Sequence, residues 1–246
     1  MARFLLIHGA MGGAWCWERV LPGLHAAGHE AVAIDLPGQG ADSTPVPEIT
    51  LSRYADAVCN ALDAFDGPVL LTGHSMGGMV ITQAAAQRPD ALAGLVYVTA
   101  FLPQPGQALI DITQLPEAAG DSVQANIVVE GDPPVATMPS EAAPEALYHC
   151  CTPEQIEWAL PRRERQPVIP FTQPFVAGDD TAAFDALPRA YVRCLQDRAI
   201  RPPLQSLMSA GAGCDPVIEI DTDHSPWLSR TDELVAALDA IAHALA

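Results

Sequence analysis

The chain has 246 residues, enough for one large α/β domain, or one domain carrying an insertion, with a substantial buried core. Twelve basic residues against thirty acidic ones give a formal charge of −18, which speaks against nucleic acid and anionic membrane surfaces as partners because both are polyanions. All the basic residues are arginines, so no lysine is available for a Schiff base or a phosphate-binding loop, and several enzyme classes drop out.

The first segment, RFLLIHGA, is a short apolar run ending in glycine, and an amphipathic stretch from Trp15 to Ala27 follows it, closed by Gly28. That order predicts strand, loop and helix. EAVAIDLPG repeats the strand signal, Leu51 to Phe65 has helical spacing, GPVLLTG is strand-like, Met76 to Arg88 helical, and LAGLVYVTA strand-like again. Strands alternating with helices predict a mainly parallel sheet of about six strands covered on both faces. After Phe101 the rhythm stops. The next eighty or so residues are rich in proline, with short helical candidates around Pro144 to Cys151 and Pro153 to Leu160, and an unstructured loop of that length is uncommon. The expectation is a mostly helical cap, residues 102–184, inserted into a core made of residues 1–101 and 185–246. The alternation resumes with RAYVRCL, PPLQSLMSA and DPVIEI, and ends in an amphipathic helix from Thr231 to Leu245.

Six scattered cysteines (Cys16, Cys59, Cys150, Cys151, Cys194 and Cys214) show no zinc-type spacing and follow no signal-like N-terminus. They are expected as reduced, mostly buried thiols of a cytoplasmic protein. No apolar run approaches the roughly 18 residues of a membrane span.

Gly73-His74-Ser75-Met76-Gly77 places a serine between glycines at the end of one strand and the start of a helix, the context in which G-x-S-x-G marks an exposed nucleophile. The Met76 amide at the helix start can meet a developing oxyanion. The glycine-rich turn His8-Gly9-Ala10, with Gly12 and Gly13, follows the first strand and supplies the Ala10 amide as second donor. A serine hydroxyl needs a base, and a base works best when an acid holds it. His8 and His74 belong to the glycine turns, His25, His29 and His243 lie on or beside helices, and His149 falls in the cap. His224, in EIDTDHSPWL directly after the last strand, is the expected base. Asp197, just past the strand of AYVRCLQD, is the expected acid, with Asp221 and Asp223 left as turn-makers.

With these residues in this order the chain resembles the α/β-hydrolases, and within them the branch of plant methylesterases, hydroxynitrile lyases and bacterial pyrethroid-hydrolase-like carboxylesterases. The resemblance rests on LLIHGAMGGAWCWERVLPGLHAAGHEAVAIDLPG, LLTGHSMGGMV, LYHCCTPEQI, YVRCLQDRAIRPPLQ and DHSPWLSRTDELVAAL, and so spans almost the whole chain. It implies an α/β-hydrolase fold, a Ser75–His224–Asp197 triad and oxyanion donors at Ala10 and Met76. The lyases of this branch resemble the chain in scaffold but carry a lysine directly after the histidine, where Ser225 stands, and a threonine at the place of Gly9; both departures argue against a lyase. The nucleophile is not an aspartate, which excludes a haloalkane dehalogenase.

The expected activity is hydrolysis of carboxylic esters of apolar or aromatic small molecules through an acyl-enzyme, with no cofactor and no metal. The pocket, between sheet edge and cap, is expected to draw on Met11, Phe101, Tyr148, Trp158, Phe175 and Trp227. A small-ligand receptor with residual activity, or lactone opening, C–C bond hydrolysis or perhydrolysis, are the competing readings. A small-molecule ester is the expected partner, nucleic acid and membrane are not expected, and a homodimer is compatible with the sequence.

Overall fold

The computed structural model describes residues 1–179 and 181–245; Asp180, in the expected cap, and Ala246, at the end of the expected core, lie outside the described residues. Six parallel strands, β1 (Arg3–Ile7), β2 (Glu30–Ile34), β3 (Val69–Ser75), β4 (Leu92–Ala100), β8 (Arg189–Cys194) and β9 (Val217–Ile220), pair in the order β2-β1-β3-β4-β8-β9. Every residue of β3 is buried, which is why VLLTGHS reads as a continuous run rather than an alternation. The edge strands keep water on one side, and there Glu30 and Glu219 point outward. Helices α1 (Leu21–Ala26), α2 (Leu51–Leu62), α3 (Gly77–Gln87), α10 (Pro202–Gly211), α11 (Pro226–Ser229) and α12 (Thr231–Ala244) flank the sheet, α2 packing on α3 and α1 on α12.

The helix expected from Trp15 to Ala27 is two pieces: a 3₁₀ turn over Ala14–Trp17 and then α1. Pro22 explains the break, because its ring fits only the first turn of a new helix. Gly28 ends α1 with φ +84°, as its position predicts. Three of the cysteines are buried and three half-buried, all of them free. Among the described residues no helix is long and apolar enough to cross a membrane.

Between β4 and β8 the chain makes short helices, α4 (Leu109–Ile112), α5 (Ser122–Asn126), α6 (Ala143–Leu147), α7 (Pro153–Ala159), α8 (Ile169–Thr172) and α9 (Ala182–Asp185). It also makes a small antiparallel sheet that the sequence reading did not anticipate, β5 (Val128–Glu130), β6 (Val135–Thr137) and β7 (Gln166–Pro167), in the order β5-β6-β7. Strands of two or three residues are too short to show a period of two. The best-marked helix of the insertion is α7: Thr152 Oγ1 accepts from Gln155 N at 3.3 Å, Gln155 Oε1 accepts from Thr152 N at 2.8 Å, and Pro153 fills the first position, a reciprocal cap.

Candidate active site

Ser75 ends β3, one of the two middle strands, at the edge where α/β sheets gather their reactive groups. Its backbone has φ +55°, an unfavourable conformation for a side-chain-bearing residue that lifts the hydroxyl out of the strand-to-helix turn. The flanking glycines answer a packing need: a Cβ on Gly73 would lie 2.6 Å from Gly77 O, and one on Gly77 would lie 2.8 Å from Ile7 O and His8 O. The turn therefore closes only without side chains at those places. A Cβ on Gly9 would meet Ser75 Cβ at 2.7 Å, so the first-strand loop also lies directly against the serine.

Three loops converge on this point. His224, carried past β9, places Nε2 2.9 Å from Ser75 Oγ and Nδ1 2.7 Å from Asp197 Oδ2. Asp197, past β8, is fully buried; its Oδ1 accepts from Ala199 N at 2.7 Å and Ile200 N at 3.0 Å, and its Oδ2 accepts from Thr99 Oγ1 as well as from His224. Two donors on each oxygen hold the carboxylate in one orientation, and that orientation makes Nδ1 the protonated nitrogen and Nε2 the acceptor facing serine. Burial depresses the basicity of His224, but the charge and hydrogen bond of Asp197, with Asp121 and Asp223 adding to the field, outweigh it and raise the pKa above its ordinary value. His74 donates from Nε2 to His224 O at 2.8 Å. Burial, reinforced by the nearby His224, lowers the His74 pKa well below its usual value, so this ring buttresses the loop as a neutral group. His8 spans Gly9 O at 2.8 Å and Leu36 N at 3.1 Å, tying its turn together.

The amides of Ala10 and Met76 have no acceptor among the described residues, and both border the same cavity as Ser75 and His224. Two unused donors beside a serine hydroxyl that faces a histidine are the arrangement an oxyanion would need. The cavity measures about 290 Å³ and is lined mostly by apolar side chains. Met11, Phe101, Tyr148 and Trp227 are in its wall; Trp158 and Phe175, expected there, are not. Trp158 is the outer end of an aromatic chain in which Trp227 meets Trp15 at 5.4 Å and Trp15 meets Trp158 at 5.6 Å, all edge-on. Its ring is covered by the guanidinium groups of Arg19 and Arg162 at 4.6 and 4.3 Å, which turns it toward the surface charges. Phe175 packs on Phe184 at 5.5 Å, and its backbone pairs with Gly106 and Gln107, so it closes the insertion's own core.

Several contributors to the site were not legible in the sequence. Thr99 has φ +35° and its hydroxyl holds Asp197; within VYVTA nothing marks it. Trp15 and Arg163 line the cavity from segments read as helix and as proline-rich cap. Asp223 exceeds the turn-making role expected of it. Fully buried, it accepts from Ser225 N at 3.0 Å and Ser229 Oγ at 2.9 Å on one oxygen and from Cys150 N at 2.7 Å on the other, joining the histidine loop to the insertion. Asp221 instead accepts from Gln196 Nε2 at 2.9 Å on the exposed side. Among the described residues no group of three or more His, Cys, Asp or Glu side chains is placed to hold a metal ion.

Comparison with known proteins agrees with this architecture. The profile of the alpha/beta hydrolase family matches residues 4–237. Methylesterase 7 of Arabidopsis thaliana is 33% identical over 258 residues, covering 98% of this chain and 96% of that protein. Salicylic acid-binding protein 2 of Nicotiana tabacum is 29% identical over 254 residues, covering 98% and 96%. The crystal structure of a pyrethroid hydrolase from Sphingobium faniae JZ-2 superimposes with a TM-score of 0.86 at 26% identity, over 99% of this chain and 98% of that one.

Proposed function

The chain belongs to the alpha/beta hydrolase family and is an enzyme of the esterase type, and from that premise we propose that it cleaves carboxylic esters of apolar or aromatic small molecules through an acyl-enzyme on Ser75. The observation that carries the reading is the contact of Ser75 Oγ with His224 Nε2 at 2.9 Å, beside two unused amides that open on an apolar cavity. His224 takes the serine proton as Oγ attacks the ester carbonyl. The imidazolium that forms is held by Asp197, whose four hydrogen bonds are already in place before the reaction and need no rearrangement. The amides of Ala10 and Met76 receive the oxyanion, and the leaving alkoxide takes the proton back from His224. Water then enters and attacks the acyl carbon as it gives a proton to the same nitrogen, and the bond to Ser75 Oγ breaks as His224 returns that proton to the serine and the acid leaves.

Lyase chemistry finds no support at the place after the histidine. Ser225 stands there, its amide bound to Asp223 Oδ1 at 3.0 Å, and its side chain carries no charge. Stopped-flow hydrolysis of 4-nitrophenyl acetate tests the mechanism: a burst of 4-nitrophenol, and loss of about 10⁴-fold or more in kcat in Ser75→Ala with unchanged circular dichroism, are the expected results. A Ser75→Ala protein that keeps more than about one hundredth of kcat overturns the serine mechanism. Binding of aromatic esters or acids with no burst favours the receptor reading.

A further inference from the structure

The segment Arg162-Arg163-Glu164-Arg165 puts four charges in a row, and three of them are used locally. Arg162 lies over the Trp158 ring at 4.3 Å and donates to Trp158 O at 2.6 Å. Glu164 accepts from Gly40 N at 2.9 and 3.1 Å, and Arg165 pairs with Glu130 at 3.6 Å. Arg163 alone turns into the cavity that holds Ser75 and His224. Its Nη2 donates to Met138 O at 2.6 Å and approaches Met11 Sδ at 3.9 Å, both neutral acceptors. Its Nε is sealed from solvent without any acceptor. None of the ion pairs among the described residues includes it.

A half-buried guanidinium without a carboxylate is costly in an apolar wall, because the cation has given up water and received no opposite charge. Burial pushes its pKa down, against the Tyr148 side chain nearby, yet a guanidinium stays protonated at any ordinary pH. The one carboxylate among the described wall residues, Asp121, does not answer it. Asp121 accepts from Val123 N at 2.7 Å, Gln124 N at 3.1 Å and Gln124 Nε2 at 3.2 Å, capping α5. Tyr148 lines the same cavity, and its hydroxyl has no hydrogen-bond partner among the described residues. Met11, against which Arg163 rests, directly follows the oxyanion donor Ala10, and the insertion is bound to it through Glu164 N on Met11 O at 3.0 Å and Gln166 Oε1 on Met11 N at 3.3 Å. The unmatched cation is thus fixed one residue from the catalytic loop.

We propose that Arg163, together with the Tyr148 hydroxyl, forms an anion subsite that selects esters carrying a second, free carboxylate, so that the preferred substrates are half-esters or carboxylated aryl esters with an apolar body. A guanidinium fork matches a planar carboxylate through paired hydrogen bonds, and the apolar walls on either side strengthen that attraction by excluding water. This rests on the esterase reading and adds to it the chemistry of the far end of the substrate.

Two matched pairs test it: 4-nitrophenyl hemiglutarate against 4-nitrophenyl valerate, with the carboxylate on the acyl side, and 4-carboxyphenyl acetate against phenyl acetate, with it on the alcohol side. The expected result is a preference of about tenfold to a hundredfold in kcat/KM for the carboxylated member of at least one pair, the range of a hydrogen bond to a charged group. Arg163→Gln brings that ratio to near one, mainly through KM, and Arg163→Lys keeps part of it. Equal rates for both members of both pairs in the wild type, or a preference that survives Arg163→Gln, overturns the proposal. Titration calorimetry with the unreactive Ser75→Ala protein gives a readout free of chemistry: 4-carboxyphenyl acetate or hemiglutarate binds more tightly than its neutral partner, and the added Arg163→Gln change abolishes the difference. Absence of turnover on all four esters counts against the esterase reading, while the calorimetric difference still decides the subsite. If Arg163→Gln fails to fold by circular dichroism, Tyr148→Phe, which removes only the hydroxyl, is expected to lower the ratio several-fold, and an unchanged ratio there counts against the subsite.

Discussion

The sheet edge and the insertion above it share one cavity but are built in opposite ways. At the edge each side chain of the proposed triad is held by contacts close to the ends of the sheet strands: Ser75 by a glycine-closed turn, Asp197 by two amides and the Thr99 hydroxyl, and the His224 loop by the ring of His74. In the insertion the elements are mostly of five residues or fewer, and they are held down at separate points, such as Cys150 N on Asp223, Gln155 Nε2 on Leu228 O at 2.6 Å, and Gln83 on Val176. The edge can tolerate almost no displacement, since proton transfer demands contacts near 3 Å. The insertion needs only to present surfaces of the right size and charge. On the proposed function, bond-making at the edge and selectivity in the insertion should be separable by mutation.

The sharpest way to break that separation is at the acid. Asp197→Asn is expected to reduce kcat by about 10⁴-fold, because an amide in this position offers its NH₂ to His224 Nδ1 and reverses the tautomer. Steady-state kinetics check it, and Asp221→Asn, changed on the exposed side, should stay within a few-fold of wild type. Comparable losses in the two variants would mean that the acid is misassigned.

Next in size is the joint between the regions. Asp223→Asn turns an NH₂ toward either Cys150 N or the pair Ser225 N and Ser229 Oγ, losing the bonds on that side and the charge on the other, and is expected to cost about 1–3 kcal/mol of stability, a fall in Tm of several degrees for a chain of this length. Differential scanning calorimetry measures it. A Tm equal to that of Asp221→Asn would show that the insertion is not anchored there.

The wall should respond in selectivity instead. Tyr148→Ala, inside the cavity, is expected to change the ratio of kcat/KM between a small acetate and a bulky aryl ester by about tenfold. Trp158→Ala, outside it, should leave the ratio within about twofold, the loss of its contact with Trp15 being felt in stability. Equal shifts in both would extend the pocket beyond the walls seen here.

The smallest effect is electrostatic. Because the pKa of His224 is raised, the neutral base is lost as pH falls through a value above 6.5, and the acid limb of kcat/KM should lie there. Asp121 contributes to that elevation. Asp121→Asn removes a negative charge, favours the neutral ring and should move the limb to lower pH by less than about one unit, while the amide oxygen keeps the cap of α5. A pH–rate profile decides; a limb shifted upward has the wrong sign for this field.

How much of this could be read beforehand follows the same division. The turn of Ser75 demands glycine at fixed spacing, and the order serine, acid, histidine follows from where strands end, so the three side chains that meet at the edge could be picked out in the sequence. The interior of the insertion was not. An aromatic side chain such as Trp158 or Phe175 is equally at home in a pocket wall and in local packing, and only the path of the chain chooses between them. Thr99 gives no signal because positive φ is imposed by its neighbours and is not encoded in a threonine. Arg163 was hidden in a charged run whose other members do stay at the surface. Pro22 is different: it stands in the sequence at the point where the first helix begins, and the amphipathic spacing from Trp15 to Ala27 runs across it without showing the break.

Among the described residues, the non-glycine positions with positive φ are Met11, Ser75 and Thr99, at 59°, 55° and 35°. All three lie at the reactive edge, and each conformation costs on the order of 1–3 kcal/mol. Heat-resistant variants should therefore arise away from this edge: Thr99→Gly relaxes the backbone but removes a donor from the buried Asp197 carboxylate, and Met11→Gly empties a buried position, while glycine widens the unfolded ensemble in both. The strain is locked in by the same contacts that place Asp197 and the first-strand loop, so it cannot be released without loosening them.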